Sequence, residues 1–148
     1  MKAVLEAAGG VAFWRVRMRP GKPLAFGAYR GIPFLGLPGN PVSAMVSFER
    51  FARPAILRMA GRRELARPSV AVIVLEELQS DGRESYLRAV VSRDERGYVA
   101  RTTSGQGSHM MTSLVQANAL LIVPEGVTAV AAGSVLQALM IDWPSDVF

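Results

Sequence analysis

No stretch of this chain constrains its fold more than Gly36-Leu37-Pro38-Gly39-Asn40-Pro41, because it fixes where a strand must stop and a helix must start. Residues 32–37 form a short apolar run of the kind that fills the middle of a parallel sheet. Pro38 removes a backbone donor and fixes φ, and Gly39 opens conformations closed to other residues, so the strand cannot continue. Asn40 is a preferred N-cap, and Pro41 falls at the first helical position, where a missing N–H costs nothing. The amides of Val42 and Ser43 then have no partner within the helix and stand at the positive end of its dipole. Such a helix start is suited to an anion. A capped helix with no ligand would use the same residues.

The helix that follows carries Val42, Met45, Val46, Phe48, Ala52, Ala55, Ile56 and Met59 at a 3.6-residue spacing. Ser43, Ser47, Arg50, Arg53 and Arg58 fall mostly off that apolar face. Pro54 is expected to bend or break the helix and to bias Arg53 away from helical dihedrals. Upstream, residues 2–8 read as the last turns of a helix closed by Gly9 and Gly10. Residues 11–18 read as a strand. Residues 24–29 and 32–37 make a hairpin-like pair or neighbouring strands joined near Arg30-Gly31. Between them lies Arg19-Pro20-Gly21-Lys22-Pro23, two cations around a rigid turn in which Gly21 supplies a positive φ. Arg19 can hold two oxygens of a phosphate-like anion and Lys22 can act as a point charge; a solvated surface turn would look the same.

Charge is shared unevenly. Through Pro68 there are twelve Lys or Arg and three Glu; after it there are five Arg and nine acidic residues. The basic first part calls for an anionic partner. Nucleic acid is disfavoured, because the aromatics do not interleave with the charges as a base-stacking surface requires. The chain has no cysteine, which excludes thiolate metal sites and fits a cytoplasmic setting. Its longest apolar stretch, residues 127–141, is broken by Gly133, Ser134 and Gln137 and is too short to span a bilayer. His109 is the only histidine, and no spacing of acids or histidines marks a metal centre.

Gly61-Arg62-Arg63-Glu64-Leu65-Ala66-Arg67-Pro68 marks a boundary, with a C-cap glycine, a charged run and a proline. We expect an α/β piece over residues 1–61, a linker over 62–68 and a small β-barrel or roll over 69–148. The last part reads as strands at 70–78, 84–92, 98–103, 119–123 and 134–141, with a short amphipathic helix within 109–118. Gly105-Gln106-Gly107-Ser108 is expected to be a flexible loop whose amides and Ser108 hydroxyl suit an oxyanion, or else a plain tight turn.

Pro20-Gly21-Lys22-Pro23-Leu24-Ala25-Phe26-Gly27, followed by Gly36-Leu37-Pro38-Gly39-Asn40-Pro41-Val42-Ser43, resembles the end of the catalytic domain of the molybdopterin molybdenumtransferases. These are the MoeA proteins of bacteria and the matching domain of gephyrin. The resemblance continues through Gly105-Gln106-Gly107-Ser108 and Ala117-Asn118-Ala119-Leu120-Leu121-Ile122, over essentially the whole chain. It implies that the α/β piece is the end of a Rossmann-like molybdopterin-binding domain and that a C-terminal barrel follows. The implied activity is insertion of molybdate into adenylylated molybdopterin, with magnesium present, in a homodimer. Arg19, Lys22, Pro38, Gly39, Asn40, Pro41, Ser43 and Ser108 are the implied substrate or anion contacts; in the family Lys is usual where this chain has Arg19. The family's magnesium-binding acids lie upstream of what matches Met1. The chain is therefore expected to be a C-terminal portion that holds half of a cleft and does not turn over alone. A non-catalytic oxyanion or pterin module, or a gephyrin-like scaffold, is the alternative.

Overall fold

The computed structural model describes residues 10–107 and 110–142, so the expected helix over residues 2–8 lies outside the described residues. The chain divides into two compact units, Met1–Leu65 and Ala66–Phe148.

The first unit is a three-stranded antiparallel sheet and a helical rod. Strands β1 (Val11–Arg15), β3 (Pro23–Tyr29) and β4 (Ile32–Gly36) are ordered β1-β3-β4, and β2 (Met18–Arg19) is a two-residue segment between the first two. Arg30 and Gly31, with φ of 51° and 79°, form the two-residue turn of the β3–β4 hairpin, in which Tyr29 faces Ile32. Two positive φ values in succession match the right-handed twist of the flanking strands. The hairpin reading holds, but β4 is not the buried centre of a parallel sheet. The turn folds it back antiparallel on β3, and Ile32 remains 68% exposed.

The rod runs as α1 (Pro41–Ser47), a π-helical segment at Phe48–Ala52 and α2 (Arg53–Met59). Pro54 does not break it, and Arg53 keeps helical dihedrals, φ −58° and ψ −52°. The Arg53 N–H donates to the Phe48 carbonyl, an i→i−5 bond, so the ladder has widened before the proline ring is reached. The extra residue in that turn also breaks the 3.6-residue register. Val42 and Val46 are fully buried as expected, yet Phe48, Ile56 and Met59 lie exposed, and Ser43, Ser47 and Glu49 are buried instead. An apolar groove of about 690 Å³ opens between sheet and rod, lined by Phe26, Ile32, Phe34, Phe51, Ile56 and Met59 among others.

The second unit is a closed five-stranded barrel. Strands β5 (Ser69–Val74), β7 (Glu84–Asp94), β8 (Gly97–Thr102), β9 (Ala119–Val123) and β11 (Val135–Met140) follow the order β7-β8-β5-β11-β9, and β9 pairs with β7 to close the ring. All pairs are antiparallel except β5–β8. The interior is filled by small and β-branched side chains, among them Val72, Val74, Ala89, Val91, Ala100 and Ala138. The expected strand over residues 70–78 is split, because β6 (Leu78–Gln79) leaves the barrel to pair with β10 (Ala129–Val130). Helix α3 (Thr112–Gln116) is the expected short helix.

Strand β7 serves two neighbours. Its residues 85–89 pair with β9 and its residues 89–94 with β8. Near the changeover, side chains replace missing backbone partners. Asn118 Oδ1 accepts from the Val91 N–H at 2.7 Å while its Nδ2 donates to the Val91 carbonyl at 2.8 Å. Glu76 caps the end of β8 by accepting from the Thr102 N–H at 2.6 Å and the Thr102 hydroxyl at 2.7 Å. Each rung satisfies groups that a closed barrel would otherwise bury unpaired.

Candidate functional site

In the first unit the loop that carries Arg19 and Lys22 packs on α1 at one close approach. The Val16 N–H donates to the Lys22 carbonyl at 2.9 Å and closes a loop over residues 16–22. Within it the Arg19–Pro20 peptide bond is cis and Gly21 takes a φ of +107°. Gly21 is buried against α1. A Cβ placed on it would lie 2.6 Å from Ser47 Oγ, 3.3 Å from Met18 Cε and 3.6 Å from the Ser43 carbonyl. A Cβ there would require Ser47 Oγ to turn away, and the φ of +107° strains any other residue, so space and backbone both favour glycine. Arg19 and Lys22, on either side of this contact, are exposed.

The helix start that this loop approaches is built largely as expected. Asn40 is extended (φ −72°, ψ 128°), Pro41 is the first helical residue, and the Ala44 N–H donates to the Asn40 carbonyl at 2.8 Å. The expected side-chain cap is missing: Asn40 makes no capping hydrogen bond. Pro38 is half-buried, and Gly39, Asn40 and Pro41 are exposed. Ser43 is buried at 6% exposure on the side of the helix facing Gly21. Small side chains at 43 and 47 leave room for the loop.

In the second unit, Ser108 and His109 lie outside the described residues, but the loop leading to them is anchored rather than flexible. Arg88, on β7, is 1% exposed. Its guanidinium donates to the Gly105 carbonyl at 2.8 Å and the Gly107 carbonyl at 3.1 Å through one terminal nitrogen, and to Ser113 Oγ at 3.1 Å through Nε. Gln106 bonds both backbone groups of Arg88 and also donates to the Thr103 carbonyl at 2.9 Å. A cation beneath a loop of glycines raises the local potential and favours an anion above it.

Arg88 was not among the candidates read from the sequence. It alternates with inward-facing Leu87 and Ala89, so strand periodicity assigns it to the outer, solvated face. What covers it is a loop seventeen and more residues away, and no local signal reports that. The resolved pKa displacements lie at surface turns away from these loops. Hydrogen bonding from Arg96 holds the Asp94 carboxyl below the usual range, and hydrogen bonding to Asp81 raises Arg83. Among the described residues no three His, Cys, Asp or Glu converge as a metal centre would require.

Comparison with known proteins bears on both units. Residues 1–58 match the family model described as a probable molybdopterin binding domain, and residues 71–141 match that of the MoeA C-terminal region (domain IV). A molybdopterin molybdenumtransferase of Haemophilus influenzae is 36% identical over 135 residues, covering 89% of this chain and 33% of the relative. Molybdopterin molybdenumtransferase 2 of Mycobacterium tuberculosis is 40% identical over 129 residues, covering 86% and 31%. The crystal structure of a molybdopterin biosynthesis MoeA protein from Pyrococcus horikosii aligns with a TM-score of 0.75 at 26% identity, over 97% of this chain and 35% of that one. The chain spans about a third of the length of the curated relatives it matches.

Proposed function

We propose that this chain, which belongs to the molybdopterin molybdenumtransferase family and matches its C-terminal portion, supplies oxyanion-holding loops of a molybdopterin-binding cleft. The reaction it serves is insertion of molybdate into adenylylated molybdopterin, a step of molybdenum cofactor biosynthesis, in a cytoplasmic homodimer. The observation that carries this reading is the seating of Gly21 on α1 at Ser43 and Ser47, which holds the Arg19–Lys22 loop on the helix that opens at Pro41.

Each group has a distinct task. Molybdate and phosphate are oxyanions, and oxyanions are held by cations and unpaired amides that need no reorganisation to receive them. Lys22 places a point charge, Arg19 a planar fork, and the amides after Pro41 fixed partial charges. The Gly105–Gly107 loop, anchored by Arg88, carries Ser108, whose hydroxyl donates one neutral hydrogen bond. Magnesium belongs to the family's chemistry as the resemblance gives it. The described residues of this chain bring no set of acids together to hold it. The alternative is a module that binds molybdate or pterin without turnover.

The test is titration of molybdate and of molybdopterin against the purified chain and its Lys22→Ala and Ser108→Ala variants. A charge-assisted contact contributes about 1.5–3 kcal/mol and a neutral one about 1 kcal/mol, so Lys22→Ala should weaken binding about tenfold or more and Ser108→Ala about fivefold. Unchanged affinity in both variants would return these loops to ordinary turns. Turnover by the purified chain on adding adenylylated molybdopterin, molybdate and magnesium would overturn the expectation that it holds only half of a cleft.

A further inference from the structure

We propose that the contact between Gly21 and Ser47 is a positioning device that sets the height of the Arg19–Lys22 loop over α1 and so decides how tightly an oxyanion is held. This rests on the reading that Lys22 binds the anion, and it assigns a role to two residues that make no contact with the ligand.

Ser47 is fully buried, and its Oγ is the one buried side-chain atom among the described residues with no hydrogen-bond partner. An unpaired hydroxyl away from water is a cost that alanine would avoid. What the hydroxyl does is fill space: it lies 2.6 Å from where a Gly21 Cβ would stand, with Met18 Cε at 3.3 Å on another side. Met18, on the same loop, is itself buried at 3% exposure and closes another side of the contact, so the helical side of it is Ser47. Ser47 lies one turn beyond Ser43, whose carbonyl faces the same point. Lys22 follows Gly21 directly, and its carbonyl is pinned by the Val16 N–H at 2.9 Å. An atom added between Gly21 and Ser47 must displace either the Ser47 side chain or the segment bearing Lys22, and because Ser47 is fully buried in a packed helix the exposed segment is the one that gives.

The experiment measures molybdate affinity of the full chain as a function of ionic strength. Lys22→Ala should lower affinity about tenfold and flatten the salt dependence, as loss of one cation contact does. Gly21→Ala and Ser47→Val should lower affinity severalfold with the same flattening, and Lys22→Ala/Ser47→Val should be no worse than Lys22→Ala alone. A merely destabilising change would reduce the folded fraction without altering the salt slope. Ser47→Ala in the Gly21→Ala background removes the colliding hydroxyl and should recover part of the affinity. Should Ser47→Val fail to fold, the Gly21→Ala and rescue pair reads the same contact. If Lys22→Ala weakens binding while folded Gly21→Ala and Ser47→Val match the parent, the positioning role is wrong and the anion site stands. If Lys22→Ala has no effect, the anion reading and this role fall together.

Discussion

Gln106 stands where a β-strand would beside Arg88: its Oε1 accepts from the Arg88 N–H at 3.0 Å, and its Nε2 donates back to the Arg88 carbonyl at 3.0 Å. Beyond the Ala89–Thr102 pair the Thr103 N–H still donates to the Arg88 carbonyl at 2.9 Å, and the side-chain amide of Gln106 supplies the acceptor that the Arg88 N–H needs. Arg88 in turn holds the Gly105 and Gly107 carbonyls, so strand and loop are mutually fixed.

Gln106→Ala should therefore strand the buried Arg88 N–H and destabilise the chain by about 1–3 kcal/mol, read from its denaturant midpoint. Gln106→Glu keeps an acceptor for that N–H but turns a second oxygen towards the Arg88 and Thr103 carbonyls. It should destabilise at least as much. Midpoints unchanged in both variants would show that the loop folds without this bridge.

The Asn118 rung makes an independent prediction at the barrel seam. Asn118→Ala leaves both Val91 backbone groups without their 2.7 Å and 2.8 Å partners. We expect a loss of about 2 kcal/mol, with faster amide exchange at Val91 than at Val72 on the far side of the ring.

What the sequence revealed and what it hid divide along physical lines. Elements set by local chemistry were legible: the turn at Arg30-Gly31, the helix opening at Pro41, the strand over residues 119–123 that β9 reproduces. Features that depend on distant partners were not. Ser43 and Ser47 read as polar-face residues because periodicity cannot see a loop arriving on them, and Arg88 was not singled out for the same reason. Strand β4 carries the apolar run of a central strand, yet the described residues leave it at the sheet edge.

That edge carries the next expectation. Ile32 is 68% exposed and Met59 73%, on the rim of one apolar groove. An apolar edge strand beside such a groove is a template for association. Ile32→Lys/Met59→Lys should reduce self-association in sedimentation velocity, while stability changes by no more than about 0.5 kcal/mol per site, as exposed positions allow.

Acid should act on the Asp94 turn in one direction. Hydrogen bonding from the Arg96 side chain and backbone holds the carboxyl below its usual range when folded. A depressed folded pKa contributes stability above the unfolded value, and that contribution disappears as pH falls through the folded one. The pair is exposed, so the acid-limb difference between the parent and Asp94→Asn should be small and should vanish at about 0.5 M salt. A difference that persists in high salt would mean the turn is more buried than its geometry indicates.

The rod at Pro41–Met59 offers the sharpest contrast between rule and structure. A proline inside a helix costs about 3 kcal/mol, through a lost donor and a clash with the carbonyl four residues back. Replacing Pro54 by alanine would on that rule stabilise the chain by a similar amount. Here the Arg53 N–H already bonds Phe48, five residues back, and α2 begins at Arg53, which puts Pro54 at the second position of the new segment. Proline is tolerated in a first turn, since its N–H has no obligatory partner there. The π segment therefore absorbs what the proline would otherwise cost, and Pro54→Ala should change the unfolding free energy by no more than about 1 kcal/mol. The same segment sets which side of the rod carries Glu49, whose carboxylate lies 3.8 Å from Arg53 Nε. If alanine let the rod relax to an unbroken α-helix, that i,i+4 pair would come into regular helical phase, and its strengthening should appear as a steeper salt dependence of stability. A gain near 3 kcal/mol in equilibrium denaturation would show that the widened turn is forced by the proline and strained, rather than accommodated.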